Sequence, residues 1–131
     1  MTPDPAIVSI APAAGDGRAT RLLACLGALL AGVSVGLAAY AAHAVEPGAQ
    51  ERLQSAAWFA FGHGIALAAL APGAVRVAGL IGLVALALGT LLFSGSLVGA
   101  HVFATPTFAA PYGGFLMMFG WLLWAADSLR R

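Results

Sequence analysis

Val77 to Ala100 reads VAGLIGLVALALGTLLFSGSLVGA, a stretch with no charged residue and no proline. As a helix rising about 1.5 Å per residue it is about 36 Å long, against a bilayer hydrocarbon core of about 30 Å. Its apolar residues surround the helix instead of lining one stripe, which is the pattern of a membrane span and not of a half-buried soluble helix.

The rest of the chain agrees. It has 131 residues, of which 61% are hydrophobic and only 8% charged, a composition outside that of water-soluble domains. The six basic side chains are all arginines and face five acids for a net charge of +1. No basic patch of the kind that holds a phosphate backbone results, which excludes nucleic acid as a partner. Cys25 is the single cysteine, so neither an intrachain disulfide nor a cysteine metal site is available. The heavy use of alanine, glycine and arginine without lysine points to a GC-rich bacterial genome.

Three further spans flank the first one. Residues 1–20 contain Pro3, Pro5, Pro12, Gly15 and Gly17 with no sustained periodicity, and are expected to form a mobile cytoplasmic tail. A helix over about 22–43 follows Arg18 and Arg21. A secretory leader is the rival reading, since Ala42-His43-Ala44 has the form of a cleavage site, but the apolar run is too long and two acids precede it. Glu46-Pro47-Gly48 opens a second helix over about 49–71. Pro72-Gly73 turns the chain into the third, over about 76–100, and the prolines Pro106 and Pro111 precede a fourth over about 112–129. The expected fold is all-α, a four-helix transmembrane bundle in up-down-up-down order formed by residues 21–131. Five arginines fall on one side and only Arg52 on the other, so both termini are expected in the cytoplasm.

Small residues at helical spacing mark where backbones approach in lipid: Gly32 with Gly36, Ala85 with Gly89, and Gly95 with Gly99. Gly95 is expected to be a contact between helices, with Ser94 and Ser96 on either side. Each serine either bonds back to a carbonyl one turn earlier or crosses to a neighbouring helix. His63 lies deep in the second helix, where an imidazole must find a partner for its N–H. It reads either as a structural hydrogen-bonding residue or as an element of a polar track on the face shared with Arg52 and Phe59. His43 and His101 sit at the outer end, at a depth unlike that of His63, and do not suit a haem or a metal ion. Asp127, Arg130 and Arg131, at helical spacings, read as an exposed ion-pair cluster. No catalytic set, cofactor site or metal site emerges.

Several motifs also resemble a known family. Gly36 to His43 (GLAAYAAH), His63 with Ala66 and Leu67, Leu92 to Leu97 (LFSGSL), and Pro111 to Phe115 (PYGGF) followed by Gly120-Trp121 are similar in order and spacing to the YgdD-like family. These are small inner-membrane proteins classed as a domain of unknown function (number 423), with eukaryotic relatives called transmembrane protein 256. The resemblance covers residues 20–129 and implies a four-helix fold without naming an activity. Where the family has Gly-Ala-His and Thr-Pro, this chain has Ala41-Ala42-His43 and Ala110-Pro111. His43, His63, Ser94, Ser96, Gly113 and Gly114 match its polar and glycine pattern.

These readings lead to a non-enzymatic protein of the bacterial inner membrane, acting through helix packing as an accessory or assembly protein or as a homo-oligomer. The alternative is a small oligomeric transporter or channel that uses His63 and the hydroxyls of the third helix.

Overall fold

Proline and glycine set the helix boundaries. In the computed structural model, which describes residues 17–130, the helices are α1 (Arg18–His43), α2 (Pro47–Leu70), α3 (Val77–Val102) and α4 (Ala109–Ser128), with a 3₁₀ turn at Ala71–Gly73. Pro47 occupies the first turn of α2, where its missing N–H needs no partner. The same reasoning explains why α4 begins at Ala109, earlier than the sequence suggests: Pro111 falls within the first turn and does not break the helix. At the other end of the chain, α1 already begins at Arg18, and Thr20 Oγ1 donates to the Gly17 carbonyl at 2.9 Å. Arg18 to Thr20 are therefore helix and not tail; residues 1–16 of the expected tail lie outside the described residues.

All four helices are long and apolar enough to cross a membrane, and the chain is a small multi-pass membrane protein with an all-α, four-helix bundle fold. Large apolar side chains such as Leu29, Val33, Trp58, Leu88, Phe115 and Leu122 are exposed on its outside, which is stable where the surroundings are acyl chains. α3 is the central helix: half of its apolar stretch is buried, against 11% for that of α1.

The helices associate as two tight antiparallel hairpins, α1 with α2 and α3 with α4, and α2 meets α3 along a looser seam. Within each hairpin the contact is backbone on backbone. A Cβ placed on Gly27 would lie 2.5 Å from the Gly64 carbonyl oxygen and 2.6 Å from the Ala68 nitrogen. In the second hairpin the approach repeats along the helix. A Cβ on Gly89 would come within 2.7 Å of the Met117 nitrogen, one on Gly113 within 2.5 Å of the Phe93 nitrogen, and one on Gly120 within 2.7 Å of the Gly82 carbonyl. Only glycine fits at such distances, and in lipid this close van der Waals contact is what holds helices together. Leu67, Leu83, Leu86 and Met117 fill the core between the hairpins.

Several expected packing glycines lie elsewhere. Gly32, Gly36, Gly95 and Gly114 would meet nothing within 4 Å if they carried a Cβ, so they are not contacts between the helices of this bundle. Spacing alone does not say which face of a helix turns inward, and α1 and α3 each bury a different one. Gly99 meets Thr105 of the α3–α4 connection, at 3.2 Å from its added Cβ, and not another helix. Of the glycines singled out in the sequence for packing, Gly89 and Gly113 are the ones in helix-to-helix contact.

Candidate functional site: the seam between the hairpins

The polar side chains converge on the boundary between the two hairpins. Ser94 of α3 is 7% exposed and donates its Oγ–H to the Ala56 carbonyl of α2 at 2.9 Å. Of the two arrangements open to the serines, Ser94 takes the crossing one. It faces α2 because Ser94, Thr90 and Leu97 share the buried side of α3 while Gly95 turns outward.

His63 of α2 is half-buried and uses both ring nitrogens. Nδ1 lies 2.8 Å from the Phe59 carbonyl one turn earlier, and Trp121 Nε1 of α4 donates to Nε2 at 3.2 Å. A carbonyl can only accept and an indole N–H can only donate, so the pair of bonds fits the tautomer with its proton on Nδ1. The ring stacks on Phe59 with 9° between planes and 5.8 Å between centroids, and Phe59 in turn packs on Phe93 of α3 at 4.6 Å. By helix rise His63 sits about 10 Å from the C-terminal end of α2, well inside the span. The expected polar track toward Arg52 does not form a hydrogen-bonded path: Nδ1 is taken by Phe59, and Arg52 is exposed.

The third bridge is at the far end of the bundle, away from the chain termini. Tyr40 Oη of α1 and His101 Nε2 of α3 are 3.1 Å apart, with the rings edge to face. His43, one turn beyond Tyr40, is exposed at the same end. These three contacts, Tyr40–His101, Ser94–Ala56 and Trp121–His63, each join the first hairpin to the second.

Thr90 and Ser34 are satisfied within their own helices. Thr90 donates to the Leu86 carbonyl at 2.7 Å and Ser34 to the Ala31 carbonyl at 2.8 Å, both from buried positions. Ser96, the other serine beside Gly95, has a buried Oγ with no hydrogen-bond partner among the described residues. Asp127 is 2% exposed, and its Oδ2 would be 2.9 Å from a Cβ on Gly79. It is thus buried against α3 and not exposed as expected; Arg131 lies outside the described residues. Among the described residues no group of three or more His, Cys, Asp or Glu side chains is placed to hold a metal ion.

Sequence reasoning reached His63 and Ser94 but missed their partners, and it missed Tyr40. Trp121 carried a signal: an indole N–H at membrane depth needs an acceptor, and His63 is an acceptor inside the span. Compared with family models, curated proteins and solved structures, the chain matches none of them.

Proposed function

We propose that this is a non-enzymatic protein of the bacterial inner membrane that works through helix packing, as an accessory or assembly element for a second copy or for another membrane protein. One observation carries the reading: the polar side chains that a reaction or a transport path would require are engaged in joining the two hairpins. With backbones in contact at Gly27–Gly64 and Gly89–Gly113, the hairpin seams have no water-wide gap. The glycines that face outward, Gly32 and Gly36 on α1 and Gly95 on α3, are where another helix would approach most closely. The resemblance of residues 20–129 to the YgdD-like family belongs to the same proposal, as does an orientation with both termini in the cytoplasm. Transport along His63 and the α3 hydroxyls would need these bonds to open, and it is the weaker reading.

The test is photocrosslinking in native membranes from a reactive side chain at Gly36 or Gly95. The reading expects one discrete adduct, with a second copy or with a single partner protein. Lipid adducts alone at both positions would count against it. Reporter fusions test the orientation: those at Gly73 and after Ser128 should be active in the cytoplasm, and one at Gly48 should not.

A further inference from the structure

A depression of about 340 Å³ opens where α1 begins, lined by Gly17, Thr20, Arg21, Ala24 and Pro72. Two features of it point to a ligand. Its lining combines the apolar Ala24 and Pro72 with the polar Arg21 and Thr20, the Thr20 hydroxyl donating to the Gly17 carbonyl. Among the described residues the Arg21 charge also has no partner. Arg21 is exposed and makes no hydrogen bond or ion pair among the described residues, Glu46 and Glu51 are at the opposite end of the bundle, and Asp127 is buried against Gly79.

Depth decides what would fill it. α1 is 26 residues long, about 39 Å, so it exceeds the hydrocarbon core by roughly two turns. Arg21 and Thr20, in its first turn, therefore stand at the level of the headgroups, while Ala24 reaches the acyl region. A ligand that fits must be anionic at one end and apolar at the other, and of a size for a pocket at the small end of the usual range of about 300–1,000 Å³. We propose that this depression binds the phosphate-bearing headgroup of an anionic phospholipid, with Arg21 pairing the phosphate and Ala24 and Pro72 receiving the start of the acyl chains. Arginine suits the role because its planar fork matches two phosphate oxygens at once. Basic pockets between spans recur as sites for anionic lipid.

The experiment is native mass spectrometry of the full-length protein released from nanodiscs of dioleoyl phosphatidylglycerol or dioleoyl phosphatidylcholine. The wild type should retain the anionic lipid about fivefold over the zwitterionic one, the effect expected of one arginine near the surface. R21Q should lose that preference and R21K keep part of it. R52Q, at the other end, and R130Q, at the same end but outside the depression, should leave it unchanged. Equal retention of the two lipids, or a preference that survives R21Q, would overturn the site. Loss in R130Q as large as in R21Q would also overturn it, since the attraction would then belong to the whole arginine-bearing end. Inorganic phosphate protecting the protein against heat as well as the lipid does would mean a site for free anions and defeat the lipid assignment. Should R21Q not fold, A24W fills the depression without removing charge, and an unchanged lipid preference in that variant overturns the proposal.

Discussion

The seams inside the hairpins and the seam between them are built from different materials. Inside, α1 meets α2 and α3 meets α4 through glycine, with opposing backbone at distances where no Cβ fits. Between the hairpins, the contacts are long side chains and hydroxyls: Tyr40 to His101, Ser94 to the Ala56 carbonyl, Trp121 to His63, and Phe59 on Phe93. In lipid there is no hydrophobic gain on bringing apolar helices together, so association depends on close packing and on hydrogen bonds. Here the two are divided by location. Glycine contact supplies tight adhesion but tolerates sliding along a smooth face, whereas a hydrogen bond at a fixed level sets the register of one hairpin against the other.

The largest effect should come from a side chain forced into a glycine contact. Gly113→Ala places a Cβ 2.5 Å from the Phe93 nitrogen, and because backbone cannot rotate away the cost should reach about 3 kcal/mol, the upper end for overpacking. The neighbouring Gly114→Ala meets nothing within 4 Å and should gain up to about 1 kcal/mol from helix propensity. Unfolding the two variants in detergent micelles checks the contrast; similar melting would erase it. Gly95→Leu, by the same reasoning, should fold as well as the wild type.

The two serines should move stability in opposite directions. Ser94→Ala removes a buried bond across the seam and should cost about 0.6–1.7 kcal/mol, as interhelical bonds in membranes do. Ser96→Ala removes a buried hydroxyl without a partner among the described residues and should be neutral or stabilising by about 1 kcal/mol. Equal losses at both sites would mean that Ser96 also bonds. A double-mutant cycle of His63→Leu with Trp121→Phe should give a coupling of about 0.6 kcal/mol, and additive effects would show that the bond contributes nothing. The smallest change concerns Ala104, whose φ of 53° lies in the left-handed region. Ala104→Gly relieves that strain but frees the unfolded chain, so a net gain of about 0.5 kcal/mol is expected in the same melting assay.

How much of this could be read beforehand differs by level. The all-α fold, with four helices each able to span a bilayer, followed from charge-free runs of sufficient length and from Pro47, Pro72 and Gly73, because local chemistry sets those boundaries. His63 and Ser94 stood out because polar groups are rare at such depth. Which glycines pack was not legible. Gly95 and Gly89 both stand at small-residue spacings on α3, yet Gly89 faces α4 and Gly95 faces outward; rotation about the helix axis is set by tertiary contacts that no single helix encodes. Asp127 was misplaced for a related reason, since the room made for it is the missing side chain of Gly79, 48 residues earlier in the chain. The partners Trp121 and Tyr40 depended on the same unread rotations.

The central claim is that the protein is two glycine-locked hairpins held in register by a hydrogen-bonded seam. Forced unfolding of single molecules in bicelles, pulled from both termini, tests it most directly. The account predicts two main steps, each releasing one hairpin, with His63→Leu lowering the force of the first step and leaving the second unchanged. Helices leaving one at a time, or a His63→Leu variant that weakens both steps alike, would contradict it.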